Sequence, residues 1–462
     1  MSDVPFGFSN PNDPDKDRNR KEGREGSDGG QGASDPFGFG FEGFDPAQLG
    51  QMLSQFGAML SNMGAGGGPG ASAGPVNYDV AKQLARQQLG NFKPVSAGTT
   101  KAVADAAHLA ELWLDGATTL PAGAAKTVGW TPNDWLENTL DTWKRLCDPV
   151  AQQISGMWTA SLPPEAQQVV GPMIGMLGQM GGLAFGSQLG QALGQLAKEV
   201  LTSTDIGLPL GPTGTAALLP EAIAAFSEGL EQPEQEILVF LAAREAAHQR
   251  LFHHVSWLRQ RVLGTVEDYA RGIRMDFSAI EQAAAGIDPA ALMDPSKIEE
   301  ILQQGAFEPQ TTPEQKQALE RLETLLALIE GWVETVVADA VGDRLPGAAA
   351  LSETLRRRRA TGGPAEQTFA TLVGLELRPR KVREAATLWR RLTDEAGADV
   401  RDGVWAHPDL LPDSADVDNP TGFIERLTGG EATAFDDPMA QLEETEARER
   451  AEKGEQPKDD SA

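Results

Sequence analysis

Arg244, Glu245 and His248 stand in the frame Arg-Glu-x-x-His, one residue away from a motif with a defined mechanism. In His-Glu-x-x-His on a helix, the two histidines share a face and bind zinc. The glutamate beside the first activates the metal-bound water. Here an arginine takes the first position. A guanidinium stays protonated and has no lone pair to offer a metal, and a catalytic zinc normally takes three protein ligands plus water. Glu-x-x-His alone is frequent in helices, so the context of the frame decides how much it means.

The frame interrupts an apolar stripe of Ile237, Leu241, Leu251 or Phe252, Val255 and Leu258. Steps of three and four put Arg244, Glu245 and His248 on the face expected to be buried. Ionisable side chains are rarely buried without partners, so something must compensate them. The carrying helix is expected from Pro233, with Glu234 and Glu236 in its first turn, to about Leu263. A second long helix starts at Thr312-Pro313-Glu314-Gln315, a capping box, and runs to about Val341. Other helical patterns cover about Asp79–Leu89, Lys101–Asp115, Pro132–Leu146, Ala348–Arg359, Ala365–Val373 and Pro379–Ala396. Thr202–Leu219, rich in Gly and Pro, reads as a loop or short hairpin.

Between Glu165 and Lys198 there is no charge, and glycines recur at 178, 182, 186, 190 and 194. That spacing makes a smooth groove for a second helix. In a bilayer it is a dimerisation motif; in a water-filled setting it marks a central helix buried on all sides. Gln179, Gln188, Gln191 and Gln195 favour the buried helix over the membrane span, which leaves a membrane-associated scaffold as the weaker alternative.

Phe240-Leu-Ala-Ala-Arg-Glu-Ala-Ala-His-Gln-Arg-Leu-Phe, followed by Trp257-Leu258, Leu328-Ile-Glu-Gly, Leu372-Val-Gly-Leu-Glu and Trp405-Ala-His-Pro-Asp-Leu-Leu-Pro, resembles an actinobacterial family of zincin-like metallopeptidases over about residues 80–420. Members are described as hydrolases or as proteins associated with biosynthesis of a deazaflavin cofactor. The resemblance implies Glu245 as general base, His248 as a zinc ligand and Glu330 as third ligand, with Glu334 and Asp339 on the same helix as competitors for that place. Arg244 departs from the pattern and makes zinc doubtful. An arginine could supply the positive charge that zinc supplies elsewhere, by pairing with Glu330 or another acid of the second helix.

The remaining candidates read as structural. His253 and His254 point to other faces of the helix than His248, His407 lies in a turn held by Pro408, and His108 sits in a helix. Arg356–Arg359 reads as a solvated helix end, with an acidic tail, a phosphate or nucleic acid as alternative contacts. No phosphate-binding loop, dinucleotide fingerprint or serine nucleophile elbow is present.

The 462 residues carry a net charge of −28, which argues against nucleic acid and anionic lipid as partners. One cysteine, Cys147, allows no internal disulfide, and the N-terminus has no apolar stretch of signal-peptide type. Both point to the cytoplasm.

The expected fold is mainly α: one large helical domain with a zincin-like core over residues 76–413 and little strand. Residues 1–75 are expected to be a disordered Gly/Pro-rich region with a short amphipathic helix at Leu49, Met52, Leu53, Phe56 and Leu60, and 414–462 a disordered acidic tail. Two functions follow: a zinc-dependent hydrolase, most naturally a peptidase, with an altered metal site, or a pseudoenzyme that binds a protein or peptide in the former cleft.

Overall fold

The computed structural model describes residues 74–160, 164–272, 274–275, 309–310, 312–360, 364–373 and 381–428. In chain order the elements are α1 (Tyr78–Leu89), α2 (Ala97–Leu114), β1 (Lys126–Gly129), α3 (Pro132–Ala160), α4 (Pro164–Glu199), β2 (Thr215–Leu218), α5 (Pro220–Ser227), α6 (Glu234–His254), α7 (Leu258–Arg271), β3 (Arg274–Met275), β4 (Pro309–Gln310), α8 (Pro313–Val341), α9 (Ala348–Ala360), α10 (Pro364–Val373), α11 (Val382–Gly403), α12 (Ser414–Asp418) and α13 (Pro420–Thr428). The fold is therefore mainly α, as expected, with strands confined to two two-stranded pairs among the described residues.

Local signals set many of the helix starts. The Asn77 side chain accepts from Val80 N at the head of α1, and Ser96 accepts from Thr99 N at the head of α2. The Ser96 cap explains why α2 begins at Ala97, ahead of the expected Lys101. The capping box Thr312–Gln315 opens α8. Longer-range packing overrides local signals elsewhere. α3 runs on through Pro149 to Ala160 because Val150 and Ala151 belong to the core. The helix expected over 233–263 breaks after His254. There the Trp257 indole donates to the Trp405 carbonyl at 3.2 Å, and its ring stacks on Trp405.

Thr202–Leu219 is mostly loop, one of the two forms expected for it, and not a short hairpin. Its β2 pairs in parallel with β1, Lys126 opposite Thr215, while Thr202 makes an antiparallel bridge to Leu218. β2 thus draws two distant stretches of chain together above α6.

The glycine-rich helix α4, uncharged between Glu165 and Lys198, is also not buried on all sides. Gln179, Gln191 and Gln195 face solvent, and the opposite, glycine-lined face receives α1. A Cβ at Gly186 would lie 2.3 Å from Asn77 O, and one at Gly190 would lie 2.4 Å from Ala81 O. Among the described residues no helix is long and apolar enough to cross a membrane.

The helix buried all round is α6. Every residue from Val239 to Phe252 is buried, with α2, α8 and β2 packed against it. One core runs from Val76 to Ile424 and includes Trp135, Trp143, Trp332, Trp389 and Trp405. Cys147 is free and buried. The domain does not stop at Ser414. α12 and α13 bury Val417, Phe423 and Ile424, and those three apolar side chains hold the chain against α11 and α8. The amphipathic stretch at Leu49–Leu60 and the acidic end beyond Thr428 lie outside the described residues.

Candidate functional site

Burial of α6 from Val239 to Phe252 leaves the ionisable residues of that stretch little water, so each must find a partner. Arg250 is clamped by Glu111, by Asp115 at 2.6 Å and by the Leu120 carbonyl at 2.7 Å. The frame around Arg244 divides into two carboxylate sites.

The first is Glu330, carried in by α8. Arg244 Nη2 donates to Glu330 Oε2 at 2.7 Å, and Arg359 Nη1, from α9, donates to the same oxygen. His248 Nδ1 donates to the Arg244 carbonyl at 2.8 Å, and its Nε2 lies 3.1 Å from Glu330 Oε1. Gly207, at φ +78°, carries the loop after α4 over the site; a Cβ there would lie 3.2 Å from Glu330 Oε1. Burial alone would raise the Glu330 carboxyl. Arg359, His248 and Arg244 outweigh burial and hold it well below the usual carboxylate range. Burial likewise lowers the Arg244 guanidinium, a shift that Glu330 opposes and Arg359 reinforces.

The second carboxylate is Glu245. Ser203 Oγ, Thr204 N at 3.1 Å, Thr204 Oγ1 at 2.6 Å and Gln249 Nε2 at 2.9 Å all donate to it. Its oxygens hold the Ser203–Thr204 turn beneath β2 rather than facing an open cleft.

Of the acids on α8, only Glu330 meets His248 among the described residues. Glu334 pairs with Arg356 at 3.3 Å, and Asp339 lies 3.7 Å from Arg401. Exposed His253 and His254 contact each other, and His254 reaches the Ala122 carbonyl. His407 caps the turn to Asp409. His108 is exposed on α2.

The arginine run does not end in solvent. Arg356 turns to Glu334, Arg358 reaches Asp205 at 3.1 Å, and Arg359 donates to the Asp205 carbonyl at 2.6 Å as well as to Glu330. Only Arg357 is exposed. Sequence reasoning missed Arg359, Arg358, Asp205, Ser203 and Thr204. The one available signal was four cations in a strongly acidic chain.

The residues do not fit a zinc ion in this arrangement. No group of three His, Cys, Asp or Glu side chains is placed to hold a metal among the described residues. Arg244 has no lone pair to offer a metal, and Glu330 Oε2 is ion-paired with both Arg244 and Arg359. A cavity of about 430 Å³, floored by Trp130, Ile223 and Leu238 with Lys93, Glu221 and Glu234 at its rim, shares no residue with the site.

A family model described as a zincin-like metallopeptidase matches residues 76–424. A protein from Chloroflexus aurantiacus, described as a proposed hydrolase with a novel fold, superposes with a TM-score of 0.55 at 20% identity. The match covers 77% of this chain and 100% of that one; at that identity it speaks for the fold alone. No curated protein matches the chain.

Proposed function

Because this chain belongs to the zincin-like metallopeptidase family, we propose that it keeps the family's fold without the family's metal chemistry, as a pseudoenzyme that holds a peptide or protein partner instead of cleaving it. The observation that supports this is the state of Glu330, whose two oxygens receive Arg244, Arg359 and His248. A site built on that carboxylate needs no metal to neutralise it. In the same reading Glu245 is a structural acceptor for Ser203 and Thr204, not a general base. A cytoplasmic location, no nucleic-acid partner, and the narrower actinobacterial, deazaflavin-associated affiliation belong to this reading too.

The alternative is a zinc-dependent hydrolase. The family match favours it. It requires Arg244 and Arg359 to leave Glu330 and a third ligand to enter. The deciding measurement is the zinc content of the protein purified without chelator. The pseudoenzyme reading expects far less than one zinc per chain; near-stoichiometric zinc would sink it and restore the hydrolase.

A further inference from the structure

We propose that two arginines, not one, stand where a metal would: Arg244 on α6 and Arg359 on α9 together lock a latent zinc site. This deepens the reading of a metal-free site and rests on it. The motif points to Arg244 alone, since Arg244 takes the place of the missing histidine. The geometry adds Arg359, which donates to the same oxygen, Glu330 Oε2, from a different helix.

Charge supports the pairing. A zinc ion brings two positive charges to its ligands, whereas one guanidinium brings one. Arg244 and Arg359 together supply two, on the carboxylate that the resemblance assigns as third ligand. Arg359 is also fixed independently of Arg244. Its Nη2 donates to the Asp205 carbonyl at 2.6 Å, and its neighbour Arg358 pairs with the Asp205 carboxylate at 3.1 Å. Removing Arg244 therefore leaves a cation seated on Glu330 Oε2. That cation would repel an incoming zinc and keep the ligand oxygen occupied. Restoring the motif histidine at position 244 is necessary for metal binding and not sufficient.

The test uses the full chain as parent, Arg244→His, Arg359→Gln and the double variant. Each is loaded with zinc, dialysed and analysed for metal, with circular dichroism to follow folding. The expected result is about one zinc per chain in the double variant and less than about a tenth of that in the other three. A double variant that folds only when zinc is present counts as the same result, because metal binding then supplies folding free energy. Stoichiometric zinc in Arg244→His alone overturns the proposal, since Arg359 would then be no barrier. A folded double variant without zinc, or one that folds neither with nor without it, also overturns it. Zinc in the parent would strike instead at the metal-free reading itself, so the two failures are distinguishable.

Discussion

At the scale of single residues, the site is an exchange of one kind of positive charge for another. Arg244 and Glu330 form a buried ion pair, and removing one member of such a pair strands the other. Arg244→Ala should lower the unfolding free energy by about 3 kcal/mol at pH 7. The cost should depend on pH with a definite sign. The Glu330 carboxyl is held well below the usual range, burial being outweighed by Arg359, His248 and Arg244. A carboxyl lowered in the folded state stabilises the fold above its unfolded value of about 4.3, and the contribution fades as pH falls through the folded value. The gap between parent and Arg244→Ala, measured by urea unfolding, should therefore narrow below about pH 4. Equal stabilities at pH 7, or a gap that widens on acidification, would mean that Arg244 does not neutralise Glu330. Much of this site was legible beforehand, because helical spacing alone puts Arg244 and His248 on the buried face, and burial demands a counter-charge. What spacing could not do was choose among Glu330, Glu334 and Asp339, which lie on one helix; that choice depends on how α8 is rotated against α6. Nor could it show Arg359. A run of four arginines looks solvated until the loop carrying Asp205 is known to lie beneath it.

At the scale of elements, the patterns legible in sequence were the long ones. α6 and α8 announced themselves through first-turn acids and a capping box, and α1 through its apolar stripe. β1 and β2 were invisible because four residues give too little periodicity, and their pairing joins Lys126 to Thr215 across the whole of α3 and α4. The break after His254 was hidden for a similar reason, since Trp405 is far away in sequence. The glycine repeat on α4 marks a groove for a second helix, and that helix is α1 of the same chain. A consequence can be tested at two positions on one helix. At Gly190 a Cβ would sit 2.4 Å from Ala81 O, so Gly190→Ala must push α1 away and should cost about 2 kcal/mol. At Gly178 a Cβ meets nothing within 4 Å, so Gly178→Ala should stabilise the helix by about 0.5 to 1 kcal/mol. Thermal melts of the two variants should move in opposite directions. If both rise, the glycine face is not a packing face.

At the scale of the whole molecule, the question is how much of the chain the fold needs. The core begins at Val76 and ends at Ile424, and the family match spans 76–424. α12 and α13 carry that core past the acidic onset at Ser414. Outside it, Gly is by far the commonest residue of the N-terminal stretch, and Glu and Ala lead the C-terminal one. Such compositions bury too little apolar surface to offset chain entropy. One stretch departs from that rule: Leu49, Met52, Leu53, Phe56 and Leu60, at helical spacing. A chain trimmed to residues 74–428 therefore tests two ideas together. If the flanks contribute nothing to the fold, its Tm should match that of the full chain within about 2 °C, a shift worth roughly 1.5 kcal/mol in a domain of this size. A fall of about 5 °C or more would mean that the flanks hold a docked segment. Polar-for-apolar changes at Leu53 and Phe56 in the full chain would then have to reproduce the fall if the segment at Leu49–Leu60 is the one that docks. Unchanged melting after trimming would leave that segment free for a partner, the kind of contact that a protein acting by binding rather than cleavage would need.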